Sequence, residues 1–174
     1  VDSSVFWECP QLEEKENGLT YVGPILVASD NSLSQKVVVR DGTKVIAEYG
    51  IWAGSTNVQE LILPEGLKSI CDWISAPNIT ELVVPESVDY LASGVFSRMD
   101  SLVKLTMPCV CSNVYAPGQL KELILTGDSD SFSGMKYEHN ATKTIERLEF
   151  LGNVTRIGDG SCYSWPLKEI ILPQ

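Results

Sequence analysis

Catalysis or metal binding in this chain would have to come from very few residues. There is one histidine, His139, and there are five cysteines, at 9, 71, 109, 111 and 162. A single histidine excludes metal motifs built on two. His139 lies in the polar stretch "YEHNAT", the setting of a solvated loop residue rather than of a catalytic base. The odd cysteine count leaves at least one unpaired, and the spacing forms no repeating framework. "CVC" at 109–111 carries donors for a metal or a strained local disulfide. The plainer reading makes Cys111 a small core residue and Cys109 a more exposed turn residue. "DSDSFSGMKYE" at 128–138 has the carboxylates of a calcium loop. Phe132, Ser133 and His139, however, stand where an EF-hand starting at Asp128 needs a ligand, a glycine and a glutamate. No nucleophile elbow, Walker A loop or dinucleotide fingerprint occurs. A glycosidase needs two carboxylates held about 5–10 Å apart in a cleft, and an acidic surface makes many such pairs by accident. No catalytic residue, cofactor or metal is therefore expected.

Composition narrows the partners. The formal net charge is -10 over 174 residues. Such a surface repels phosphate, so nucleic acid and anionic membranes are poor partners. No apolar run approaches the roughly 20 residues of a membrane span, so no membrane insertion is expected. The opening "VDSSVFWECPQLEEKENG" has neither the basic start nor the apolar run of a signal peptide, so an exported form would be a mature one. Three N-x-[ST] sequons, at Asn78, Asn140 and Asn153, matter only in a eukaryotic secretory pathway.

The elements that would carry any site come from one repeated phrase. "VQELIL", "ITELVV", "LKELIL", "IERLEF" and "LKEIIL" share an apolar lead, two mostly polar positions, and then apolar–any–apolar. Aligned on Val37, Leu61, Leu82, Leu105, Leu123, Leu148 and Ile170, the intervals are 24, 21, 23, 18, 25 and 22 residues. A period near 22 falls in the range of leucine-rich repeats, with one short strand per unit. Alternate side chains of a strand share a face, so Leu61 and Leu63 point one way and Glu60 and Ile62 the other. Proline ends the strand at Pro64, Pro85, Pro108 and Pro173. A second apolar pair follows, such as Leu67 with Ile70 or Val88 with Leu91, and fills the interior from the opposite wall. One unit cannot bury its apolar side alone, so the units must stack.

These rungs resemble the BspA-like family of bacterial surface leucine-rich repeats. Repeats of that family read as an apolar strand, a proline, "V-T-x-I-G-x-x-A-F" and a small turn. "VTRIGDGSCYSWPLKEIILP" at 154–173 matches, with Cys162 in the phenylalanine place. "LVVPESVDYLASGVFSRMDSLVKLTMP" at 82–108 matches with Val95 and Phe96 as the "A-F" pair. Residues 17–54 resemble a further habit of the family, a two-stranded excursion before a "G-T-K-x-I-A" unit. The unit from 105 is short, with "YAPGQ" for the usual turn, and the unit from 123 lacks the proline and the usual return. The fold this implies is a right-handed solenoid with one parallel sheet of about six to seven short strands and irregular or short helical returns. The expected organisation is an N-terminal cap over 1–18, with Phe6 and Trp7 packing on the first rung, and one repeat domain over 19–174. In that domain a hairpin-like excursion covers 19–36 and the repeats begin at 37.

Function is then expected on the outward face of the sheet. The candidate positions are Ile62, Val83, Thr106, Ile124 and Glu149, flanked by Glu60, Glu81, Lys104, Glu122 and Arg147. Ile62, Val83, Thr106 and Ile124 together expose on the order of 200 Å², below the largest patch of an ordinary monomer. A stable partner needs about 800 Å² here, so the charged flank must join in. The resemblance implies a secreted or cell-surface, non-enzymatic module that binds a protein of a host or neighbouring cell. A structural spacer in a larger surface protein is the alternative, and carbohydrate binding through Trp52, Trp73 or Trp165 a weaker one. At the C-terminus Leu167, Ile170 and Leu172 should point inward with nothing over them. Either the chain continues past Gln174 or two copies associate through this rung. By register Cys71, Cys111 and Cys162 face no other cysteine, so no bridge among them is expected.

Overall fold

A computed structural model describes residues 10–51, 57–138 and 141–173. The chain enters through three strands, β1 (Glu14–Glu16), β2 (Leu19–Val22) and β3 (Ile25–Ser29). β2 and β3 form an antiparallel hairpin closed by Gly23 and Pro24, with Val22 opposite Ile25. Gly23 supplies the left-handed backbone, φ 54°, that the tight turn requires. Repeats then alternate a wall strand with a two-residue return strand: β4 (Lys36–Val38) and β5 (Val45–Ile46), β6 (Glu60–Ile62) and β7 (Ser69–Ile70), β8 (Glu81–Val83) and β9 (Tyr90–Leu91). The later repeats add wall strands β10 (Lys104–Pro108), β11 (Glu122–Thr126), β12 (Arg147–Phe150) and β13 (Glu169–Ile171).

The wall strands stack in parallel in the register that the phrase dictates. Val37 stands opposite Leu61, and Leu82, Leu105, Leu123, Leu148 and Ile170 form one row. Their neighbours two places along, Leu63, Val84, Met107, Leu125 and Phe150, are buried with them. Together these side chains make a continuous core. The result is a solenoid of parallel strands with almost no helix. Among the described residues only Pro10–Leu12 and Cys109–Cys111 form 3-10 turns.

Two features go beyond the expected single sheet. The returns are not merely irregular, because β5, β7 and β9 form a second parallel ladder that β3 joins alongside β5. Its alternation is that of a strand, with Ile46, Ile70 and Leu91 buried and Val45, Ser69 and Tyr90 facing outward. In addition, the main wall is two ladders, β4–β6 and β8–β10–β11–β12–β13, with β6 and β8 side by side but unladdered.

The unit from 123, which lacks the usual proline and return, still closes its coil. Phe132 is fully buried and its ring meets Phe150 edge-on at 5.3 Å. Ser129 and Phe132 bridge to Val154 and Ile157 of the next rung. Gly134, at φ 83°, lets the backbone pass against the Ser161 carbonyl, where a Cβ would collide. At the far end Ile170 faces the interior side, opposite Leu148, yet is half exposed, as is Leu172. The expected lid residues Phe6 and Trp7 lie outside the described residues, as do Cys9, Trp52, His139 and Asn140.

Candidate functional site

The outward side of the wall carries two rows of side chains that run across the strands. The first position of each strand gives Lys36, Glu60, Glu81, Lys104, Glu122, Arg147 and Glu169. The third gives Val38, Ile62, Val83, Thr106, Ile124, Glu149 and Ile171. All ten candidate positions lie on this one face. Lys36 and Val38 belong with them and were missed, although the register that makes Val37 a core residue already turns Val38 outward.

The face has two unlike halves. On β10 to β13 the outward residues Thr106, Ile124, Glu149 and Ile171 are half-buried. Arg147 is held there by three carboxylates, with Glu149 and Glu169 at 2.8 Å and Glu122 at 4.0 Å. The Glu169 hydrogen bond, then that of Glu149, pushes the guanidinium pKa above its usual value. Beside it Glu146 binds Lys168 and Lys121, and those two hydrogen bonds hold its carboxyl below the usual range. These ion pairs tie β11, β12 and β13 together across the rungs.

On β4, β6 and β8 the apolar row is open. Val38 is 49% exposed, Ile62 39% and Val83 62%. The flanking charges are less well matched. Lys36 pairs with Glu60 at 2.8 Å, and Lys104 reaches Glu81 at 4.0 Å. Glu60 and Glu81 are equivalent positions of adjacent rungs, each nine residues before a member of the Ser69–Tyr90 pair of the second ladder. Like charges thus adjoin at this one step of the row, and it is the step where the ladder is broken. Backbone bonding shows the same interruption. The amides of Glu60, Lys104, Glu122, Arg147 and Glu169 each donate to the rung before, to Gln35, Thr80, Val103, Lys121 and Glu146. Glu81 makes no such bond.

Other expected contributors are placed differently. Cys109, expected to be the more exposed, is 1% exposed, because β10 runs on through Pro108 and the 3-10 turn folds the side chain inward. Cys111 is buried as its register implied, and its thiol reaches the Val88 carbonyl at 3.5 Å. Burial, then the charge of Asp89, pushes that thiol up to about 11. The four described cysteines are free. Trp165 is 8% exposed and stacks edge-on with Phe132 and Tyr137, so it offers no face to a sugar. Trp73 is half-buried between the Tyr49 ring and the Arg98 guanidinium. No group of three or more metal-ligating side chains gathers among the described residues, and no helix there is long and apolar enough to cross a membrane.

A coil of parallel rungs, each built on a leucine-centred strand, defines the class of leucine-rich-repeat solenoids. Residues 27–117 and 76–174 match the BspA type leucine rich repeat region in six copies, and the chain belongs to that family. Compared with curated proteins and with solved structures, it matches none.

Proposed function

We propose that this repeat region is a non-enzymatic module of a surface protein, and that it binds another protein through the outward side of β4, β6 and β8. The observation that carries the reading is the contiguous exposure of Val38, Ile62 and Val83, in a row whose members on β10 to β13 are half-buried. Membership in the BspA type family supports the setting, since such repeats occur in surface proteins. Three β-branched residues supply only on the order of 200 Å², so the glutamates beside them must widen the contact toward the roughly 800 Å² per side of a stable complex. The partner is a protein of a host or neighbouring cell.

The rival reading, a spacer that holds other domains apart, draws on the ion-pair network around Arg147, which ties successive rungs to one another. The two are separated by immobilising the parent and an Ile62→Ser/Val83→Ser variant, and comparing what each retains from labelled surface proteins. A binder retains a partner that the variant loses. A spacer gives the same set with both.

A further inference from the structure

We infer that the partner's anchor is an arginine or lysine flanked by apolar residues, laid across the step between β6 and β8. The inference rests on the binding-face reading above and adds the chemistry of what binds. Along the charged row, carboxylate and cation alternate from strand to strand except where Glu60 meets Glu81. A cation placed there would extend the alternation that the protein itself uses elsewhere. Arg147 between Glu122 and Glu169 is the internal example.

Geometry fits one long basic side chain better than a bare ion. The apolar row lies two residues along the strand from the acidic row, roughly 6.6 Å away. An extended arginine spans that gap with its aliphatic stem on Ile62 and Val83 and its guanidinium between the two glutamates. Long basic side chains bury their stems on apolar surface while the head stays solvated. Arginine suits the place best, because its planar fork donates to two carboxylates at once. Lys36 already holds Glu60 at 2.8 Å, whereas Lys104 stands 4.0 Å from Glu81, so Glu81 is the less committed acceptor. The Glu81 amide, which makes no bond to the rung before, lies at the same step.

Fluorescence anisotropy with two defined probes tests this. One is a labelled extended peptide of alternating arginine and valine, and the other its citrulline counterpart, equal in shape but neutral. The arginine peptide should bind, weaken with added salt, and exceed the citrulline peptide by roughly tenfold, the scale of hydrogen bonds to charged groups. Glu60→Gln/Glu81→Gln should remove that advantage. Glu138→Gln/Asp159→Asn, which deletes two exposed charges elsewhere, should keep it. Equal binding of the two probes, or an equal loss in the distant control, would overturn the inference and attribute the attraction to net charge. If Ile62→Ser/Val83→Ser still weakens both peptides in that case, the binding face survives and only its charge preference is lost. If neither double variant on the face changes binding, both readings fail together. Circular dichroism of each variant confirms that the solenoid is intact.

Discussion

Cys111 shows how far a single position can be read from its register. Its alignment with Leu67 and Val88 marks it as a core residue, and it is buried. Cys109 was misjudged, because the alignment treats it as a turn position while the strand in fact continues to Pro108. Strand length is set by neighbouring rungs, which the local phrase does not contain. The Cys111 thiol titrates near 9 when free and is raised to about 11 in the fold. Between those values unfolding releases a proton, so stability is whole below about pH 9 and declines as pH climbs toward about 11. Denaturant midpoints measured from pH 8 to 11 should therefore fall more steeply for the parent than for Cys111→Ala. Parallel profiles would mean that the thiol is not held protonated by the fold.

Strand by strand, the two faces make opposite demands. Leu82 is 2% exposed and its neighbour Val83 is 62% exposed, though both are aliphatic and adjacent. Leu82→Ala leaves a cavity in the row shared with Leu105 and should cost about 2–5 kcal/mol. Val83→Ser removes only surface contacts and should cost within about 1 kcal/mol. Urea melts of the two variants check this, and comparable losses would reverse the assignment of faces. The wall is legible because its alternation recurs in seven places at intervals near 22 residues. The second ladder was not, because strands of two residues such as Ser69–Ile70 show no period of their own. The open half of the candidate face was only partly legible. Its positions follow from register, but the contrast between Val83 and the half-buried Ile124 depends on which side chains of adjacent rungs lie over each, which one rung's phrase does not contain.

Across the whole array each rung packs on its neighbours, so the continuous core is held together interface by interface. The interface between β6 and β8 is the thin one on the main wall, although β7–β9 and the Ser75–Arg98 bridge still join the same two rungs. Native-state hydrogen exchange should resolve this. The Glu81 amide is expected to exchange fastest of the series Glu60, Glu81, Lys104, Glu122, Arg147 and Glu169, setting aside the terminal strand. Equal protection of Glu81 and Lys104 would show that the wall is continuous. With β6 and β8 unladdered, the step is held instead by the β7–β9 ladder and by Ser87, whose hydroxyl accepts from the Gly66 amide and donates to the Leu67 carbonyl. Ile62 and Val83 therefore sit on either side of the step, each on the facing edge strand of its own ladder. A partner laid across both residues would tie the two ladders together, and by reciprocity a step already tied would hold that partner more tightly.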